Sequence, residues 1–385
     1  MKKIIIIFTG ILLCISKVNA DEIFAPSSKS AILIEASTGE VLYEKNANEK
    51  LKPASMTKMM TLLLTFEAIE RGDLKLTDEV IVSINASGMG GSQILLETGE
   101  KMTVDNLIKG VAIASGNDAA VALAEKIGGT EDYFVELMNK RATELGLKNT
   151  HFQNAHGIDA ENHYSTAYDM ALLGRAIIRD LPDEYPIYSQ KEFTFNGIKQ
   201  YNRNRLLWDN SMKVDGIKTG HLSQVGYNLV TSAVNDNMRL VAAVIGAKSE
   251  KLRANYNKAL LTYGFRYFQL YTPVQANKPL LKREVRMGKQ SQVDLVIAKD
   301  LNLLIPRGRQ NDLKLSYRLK RSTFIAPLKK GDELGVIDVK LDDKVINSVP
   351  LVSAQDIEEG GFFGRMWDKI CLFFSSNDEE VSEQK

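Results

Sequence analysis

The chain has 385 residues, 44% hydrophobic and 25% charged, which is the composition of a globular protein with room for two or three domains and argues against disorder. Its formal charge of +1 carries no basic excess, and no lysine or arginine block interleaves with aromatics, so nucleic-acid binding is not expected. Four histidines without an H-E-x-x-H or comparable cluster leave zinc chemistry without ligands, and neither a metal nor a cofactor is expected.

Residues 1–20 read as an export signal: two lysines, an apolar stretch from Ile4 to Ile15 too short to span a bilayer, and Val18-Asn19-Ala20 as a small-x-small cleavage pattern. A lipoprotein processed at Cys14 fits poorly, because Leu13 is bulky for that cleavage. Removal of the signal shifts the formal charge to −2, 46 basic against 48 acidic residues, and leaves Cys371 as the one cysteine. An internal disulfide is then impossible even in an oxidising compartment.

Ala31–Glu35 and Val41–Glu44 flank Ser37-Thr38-Gly39, a hairpin by turn chemistry. Pro53-Ala54-Ser55-Met56-Thr57-Lys58 then opens an apolar run to Ile69 that stops at Gly72, and its large apolar residues on nearly every side predict a helix enclosed by its domain. Ser55 and Lys58, three apart, would share one helical face with Cβ atoms roughly 5–6 Å apart. A serine is a poor nucleophile without a proton acceptor, and an ordinary lysine with pKa about 10.4 is almost never neutral at pH 7. Burial and a second cation both lower that pKa, so a second lysine is expected.

A chain of this length contains about one or two S-x-x-K strings by chance, so the motif needs company. Leu76–Ser83 is expected to hold a short strand, and Ser87-Gly-Met-Gly-Gly-Ser92 reads as a mobile loop beside the site; no strand–loop–helix with G-K-[ST] supports phosphate binding. Thr103 would cap a helix from Val104 to Ala114, and another runs from Asp118 to Ile127. Between them Ser115-Gly116-Asn117 forms a corner able to aim a hydroxyl and a carboxamide into a cleft, although helix capping alone would also favour these residues. Further helices are expected from about Glu131 to Leu145 and, from a capping box of Thr166 with Asp169, to Ile178. Gly216-Ile-Lys218-Thr219-Gly220-His221 precedes two β-rich runs, Tyr227–Val234 and Met238–Gly246. With the first hairpin these predict an antiparallel sheet of about five strands, closed by a helix from about Lys251 to Phe268. Lys218 supplies the required second cation, and Gly220 would let a substrate backbone lie against the strand.

Pro273 marks a boundary, after which short alternating stretches predict a small all-β domain over 273–357 with no catalytic constellation. In 358–376, Phe362, Phe363, Met366, Trp367, Ile370, Phe373 and Phe374 fall on one helical stripe, with Gly364, Arg365, Asp368 and Lys369 opposite. A core helix has the same periodicity. Aromatic density, terminal position and the acidic tail over 377–385 favour a helix lying in a membrane surface, where half-burial of each large side chain gives about 1 kcal/mol or more.

Pro-Ala-Ser-Met-Thr-Lys, Ser-Gly-Asn-Asp-Ala, Asp-Gly-Ile-Lys-Thr-Gly-His and the following β domain resemble the penicillin-binding protein and serine β-lactamase superfamily. More narrowly, the chain is similar to low-molecular-mass penicillin-binding proteins of the D-alanyl-D-alanine carboxypeptidase type. The resemblance implies an α+β peptidase domain over 21–270 and a periplasmic enzyme attached to the outer face of the inner membrane. It implies acylation of Ser55 by peptidoglycan stem peptides ending in D-Ala-D-Ala, and by β-lactams as covalent inhibitors. Lys58 would take the serine proton, Ser115 and Lys218 would relay it to the leaving amine, and Asn117 would hold the substrate amide. The N–H groups of Ser55 and His221 would form the oxyanion hole, Thr219 and Arg253 would bind the terminal carboxylate, and His156 resembles a histidine near the family's site. A β-lactamase is the nearest alternative, disfavoured because no Glu-x-x-Leu-Asn segment lies between Ser115 and Lys218. A wall-associated shape-maintaining protein with incidental catalysis is the other.

Overall fold

The computed structural model describes residues 23–374 and 381–384, with side chains from 23 to 368. The export-signal reading and residues 377–380 and 385 of the acidic tail lie outside the described residues. The chain divides into two compact units, Met1–Gly264 and Phe265–Lys385.

In chain order the first unit contains β1 (Ser30–Glu35), β2 (Val41–Lys45), α1 (Lys58–Glu70), β3 (Glu79–Ile81), the one-turn α2 (Ile84–Ser87) and β4 (Lys101–Thr103). The helices α3 (Val104–Lys109), α4 (Asn117–Gly128), α5 (Glu131–Glu144) and α6 (Ala167–Asp180) follow. The hairpin β5 (Glu192–Phe195) and β6 (Ile198–Tyr201) then leads to β7 (Lys213–Leu222), β8 (Gly226–Asn235), β9 (Met238–Ala247) and α7 (Glu250–Tyr267). The principal sheet has the order β2-β1-β9-β8-β7 and is antiparallel throughout, so the N-terminal hairpin pairs with the end of the domain, Ser30 opposite Ile245 and Glu35 opposite Leu240.

Alternation along these strands builds two apolar layers. Ile32, Ile34, Val241, Ala243 and Ile245 join the large core shared with the helices. Leu33 and Leu240 face the other way, against Gly264 of α7, where an added Cβ would meet both side chains. On the first face α6 approaches through Gly174, whose Cβ would fall 2.8 Å from Ile217 and 3.2 Å from Val230. The helix α1 is buried along nearly its whole length, Lys58 included.

Several local expectations are revised. Residues Ala54–Thr57 form a 3-10 turn and the α-helix begins only at Lys58. Ala54 sits at φ +53, a left-handed conformation held by its packed surroundings, where Gly157 and Gly220 approach it closely. The helix capped by Thr103 is α-helical to Lys109 and widens to a π turn over Gly110–Ala114. Thr166 caps α6 by accepting the Asp169 N–H, yet Asp169 does not complete a reciprocal box: its carboxylate takes the Thr150 hydroxyl and the Asn149 N–H instead. The hairpin β5–β6, turning at Asn196-Gly197, was not anticipated.

The second unit is all-β apart from its last helix: β10 (Phe268–Val274), β11 (Leu281–Arg286), β12 (Gln292–Val296), β13 (Leu301–Pro306), β14 (Leu313–Leu319), β15 (Phe324–Ile325), β16 (Glu333–Leu341) and β17 (Lys344–Ser353). Their inward residues, among them Val293, Leu295, Leu319, Ile337 and Leu351, form a separate core. The helix α8 (Phe362–Phe374) follows, and then β18 (Val381–Gln384), within the acidic tail, pairs with β14. The carboxylate of Asp368 accepts the Met287 N–H at 2.5 Å and faces Arg286 at 3.5 Å, and Arg365 pairs with Glu359. The polar side of α8 is therefore spent on the β structure, while Phe362, Phe363 and Trp367 are 67%, 80% and 67% exposed. No helix among the described residues is long and apolar enough to cross a membrane.

The approach of α6 through a glycine sets a limit on bulk there. Gly174→Val should lower the stability of the first unit by about 1–3 kcal/mol, read from urea unfolding followed by tryptophan fluorescence.

Candidate active site

The cleft is assembled from the turn before α1, the corner between α3 and α4, and strand β7. Ser55 is half-buried within the Pro53–Lys58 segment, and the 3-10 winding brings its Oγ to 3.1 Å from Lys58 Nζ. Lys58 is wholly buried. Its amine also donates to Asn117 Oδ1 and to the His156 carbonyl, both at 2.6 Å. Among the described residues no carboxylate pairs with it. Burial pushes the Lys58 amine down to about 7, the positive charge of Arg203 acts in the same direction, and the more distant carboxylate of Asp118 opposes them.

The corner Ser115-Gly116-Asn117 is a true change of direction. Ser115 takes a left-handed conformation, φ 64 and ψ 32, at the end of the π turn, and Asn117 opens α4. Its backbone N–H is bonded to the Ser92 carbonyl at 2.6 Å, and its side-chain amide donates to the Gly90 carbonyl at 2.6 Å. The glycine-rich loop is thus tied to the site by hydrogen bonds to Asn117. The carboxylate of Asp118 accepts the N–H groups of Ile94, Leu96 and Ala119, which pins the same loop from beneath.

On β7, Lys218 is buried and donates to Ser115 Oγ at 2.9 Å. Burial lowers its pKa well below the ordinary lysine value, and Lys58, Arg203 and Arg253 lower it further. Thr219 is buried beside it. Gly220 has a specific structural reason: a Cβ there would stand 2.7 Å from the Pro53 carbonyl and 3.3 Å from the Ser55 nitrogen, so the strand lies directly against the serine's own turn. Asn228 of β8, opposite Gly220, reinforces this contact by donating to the Lys52 and Pro53 carbonyls, each at 3.3 Å. His221 is exposed and its ring lies 4.1 Å from that of Tyr227, which in turn lies under the Arg253 guanidinium at 5.6 Å. Arg253 is buried on α7 and reaches the carbonyls of Gly220, Asn228 and Arg203 at 3.3–3.5 Å. Burial lowers its pKa to about 10, an effect that Glu250 opposes.

The structure therefore joins Ser55, Lys58 and Asn117 through one amine, joins Ser115 to Lys218, and sets Gly220 against the serine turn. His156 enters through its backbone. Its carbonyl meets Lys58, while its ring accepts the Ile158 N–H on Nδ1 and places Nε2 3.5 Å from Glu131, and burial holds its pKa near 3. Sequence reasoning missed Arg203, whose guanidinium donates to Ser92 Oγ at 2.7 Å and has no carboxylate partner among the described residues. It also missed Asp118, Asn228 and His163. Buried Asn202 and Asn204 on either side of Arg203 are the only local hint, since paired asparagines of this kind mark an ordered turn. No group of His, Cys, Asp and Glu able to hold a metal occurs among the described residues.

Residues 16–249 match the D-alanyl-D-alanine carboxypeptidase family, peptidase S11, and residues 268–359 match the C-terminal domain of penicillin-binding protein 5. The chain is 49% identical over 353 residues to the D-alanyl-D-alanine carboxypeptidase DacA of Escherichia coli K12, covering 90% of this chain and 88% of the relative. It is 46% identical over 358 residues to DacC of the same organism, covering 91% and 90%. Among solved structures, penicillin-binding protein 5 of Haemophilus influenzae superposes with a TM-score of 0.82 at 43% identity, covering 86% of this chain and 98% of that one. Penicillin-binding protein D2 of Listeria monocytogenes in its ampicillin-bound form superposes with a TM-score of 0.57 at 28% identity, over 62% and 97%. The chain belongs to the peptidase S11 family and is a serine-type D-alanyl-D-alanine carboxypeptidase.

Proposed function

We propose that Ser55 is the nucleophile and Lys58 its general base. The observation that carries this assignment is the hydrogen bonding of Lys58. A neutral amine has two N–H bonds and one lone pair, and here two carbonyl oxygens at 2.6 Å take the N–H bonds. The lone pair is left for the Ser55 hydroxyl at 3.1 Å. A protonated amine would add a third N–H pointed at Ser55 and could not accept its proton. The lowered pKa keeps the competent form populated near neutrality.

Ser55 Oγ attacks the carbonyl between the last two D-alanines of a peptidoglycan stem, and its proton passes to Lys58. The tetrahedral oxyanion is held by the N–H groups of Ser55 and His221, where losing one donor typically costs about 10²–10³ in rate. Collapse breaks the C–N bond, and the leaving D-alanine amine takes its proton from Ser115 Oγ, resupplied by Lys218 Nζ at 2.9 Å. Water then attacks the ester with the same groups acting in reverse. Asn117 holds the substrate amide, the β7 backbone at Thr219 and Gly220 lies along the peptide, and Thr219 with Arg253 holds the terminal carboxylate. His156 contributes its carbonyl oxygen. β-Lactams present the same carbonyl in a ring whose opened fragment stays tethered, so they acylate Ser55 as inhibitors; the Listeria relative is solved in an ampicillin-bound form.

The domain reading is a peptidase domain over 21–270, a β domain over 273–357 and an anchor over 358–376. The chain is exported by residues 1–20 to the periplasm, and α8 lies in the outer face of the inner membrane. The exposed Phe362, Phe363, Met366 and Trp367, on a helix whose acid and arginine are already paired elsewhere, support an interfacial location.

Three outcomes follow. Incubation with a pentapeptide ending in D-Ala-D-Ala should release D-alanine, and Ser55→Ala should abolish both that release and the penicillin adduct seen by mass spectrometry of the Ser55 peptide. Because the competent Lys58 is neutral, kcat/KM should rise with pH on an acid limb near 7. In Arg203→Gln, with one repelling charge gone, that limb should move to higher pH; an unmoved limb would detach Arg203 from the base. Deleting the residues after Glu359 should move the enzyme from the membrane to the soluble fraction.

A further inference from the structure

Segment 151–165 runs alongside the nucleophile's turn and is stitched to it by successive polar side chains. Thr57 Oγ1 lies 2.8 Å from His163 Nε2, Lys58 donates to the His156 carbonyl at 2.6 Å, and Thr61 Oγ1 donates to the Ala155 carbonyl at 2.6 Å. At Gly157, φ +88, the two backbones touch: a Cβ there would fall 2.0 Å from the Ala54 oxygen and 2.9 Å from Thr57 Oγ1. The middle link belongs to the catalytic amine. The histidine beside it takes no part in the chemistry described above.

The protonation of His163 is dictated by its surroundings. Its Nδ1 receives the Gln153 backbone N–H at 3.2 Å, so that nitrogen is the acceptor and the proton sits on Nε2, which donates it to Thr57. The ring is buried and stands edge-on to Phe152, 5.9 Å between centroids at 77°. Burial lowers its pKa to about 4, aided by His151 and Lys52 and opposed by Asp159, so the neutral tautomer persists across the working range. The turn it grips has need of a grip. Ala54 holds a left-handed φ of +53, a conformation that is strained for a non-glycine residue and persists only when its surroundings enforce it. Thr57 lies between the nucleophile and its base, so a tether on Thr57 bears on both.

We propose that His163 is a positioning residue for acylation: its Nε2–H, fixed by the Gln153 backbone, holds Thr57 and so aligns Ser55 with Lys58 and keeps the His156 carbonyl on the Lys58 amine. This rests on the assignment of Ser55 and Lys58 made above. Failure of that assignment would appear separately, as a penicillin adduct persisting in Ser55→Ala.

The test compares two replacements of similar bulk in the full chain, followed by the second-order rate of acylation with a fluorescent penicillin from pH 5 to 9. His163→Leu fills the space without polar atoms and should slow acylation at pH 8 by about 10- to 100-fold, the scale of a misplacement approaching 1 Å. It should also displace the acid limb, since the carbonyl bonded to Lys58 moves. His163→Gln offers an amide N–H to Thr57 and a carbonyl to Gln153, and should restore acylation to within about threefold of the parent. Thr57→Val removes the acceptor while leaving His163 in place, and should reproduce the loss should His163→Leu not fold. Parental acylation with an unmoved limb in His163→Leu or Thr57→Val would overturn the proposal, as would a folded His163→Gln as slow as His163→Leu.

Discussion

The burial of one lysine amine without a carboxylate partner governs how this domain is built. Placing a cation in a protein interior is expensive unless it is paired, and pairing would have been easy here, because Asp118 is buried within electrostatic reach. The fold spends that carboxylate elsewhere, on the N–H groups of Ile94, Leu96 and Ala119. An ion pair would raise the Lys58 pKa and hold a third proton on its nitrogen. Carbonyl oxygens from Asn117 and His156 solve the same burial problem differently: they satisfy the N–H bonds of a neutral amine without stabilising its charge to the degree a carboxylate would. Enclosure of α1 on nearly every side is the structural counterpart of that choice.

Much of this was legible from the residue order. The five-stranded sheet, the enclosed helix and the corner at Ser115-Gly116-Asn117 follow from periodicity and turn chemistry, which are properties of neighbouring residues in the chain. The need for a second cation near Lys58, together with the Lys218-Thr219-Gly220 string, pointed to Lys218; the charge that lowers the Lys58 pKa is that of Arg203, while Lys218 is itself lowered by Lys58. Local deviations were harder to read. The 3-10 turn at Ala54–Thr57 and the π turn at Gly110–Ala114 each shift a functional side chain by a fraction of a helical turn, and they are imposed by packing from elsewhere. The β5–β6 hairpin did carry its signal, Asn196-Gly197 between alternating residues, and was overlooked. For Arg203 the flanking asparagines mark only an ordered turn, and for His163 no such signal existed. Their partners, Ser92 and Thr57, lie more than a hundred residues away in the chain, and only the fold brings them together.

The last helix illustrates why periodicity could not decide between a core helix and an interfacial one. Both place large apolar residues on a single stripe, and the difference lies in which side the protein covers. In α8 the covered side is polar: Asp368 is used on Met287 and Arg286, and Arg365 on Glu359, which leaves Phe362, Phe363 and Trp367 outward. A core helix makes the opposite choice, because hydrophobic burial is its main stabilisation. This arrangement fixes the helix to its β domain through charges that cost little to leave near water, and leaves Phe362, Phe363 and Trp367 uncovered by the protein.

Two lysines in one cleft also explain each other. Lys218 is held below its ordinary pKa partly by Lys58, and Arg203, which has no carboxylate partner among the described residues, acts on both, so the cleft disfavours added protons. Acyl transfer requires one proton to leave the serine and one to arrive at the departing amine. A site that resists accumulating positive charge makes each transfer conditional on the other, since a proton gained at Lys58 raises the cost of keeping one at Lys218. The hydroxyl of Ser115 lies 2.9 Å from Lys218, on the same corner as the carboxamide that touches Lys58. The left-handed backbone at Ser115 is what gives two residues of one corner access to both amines.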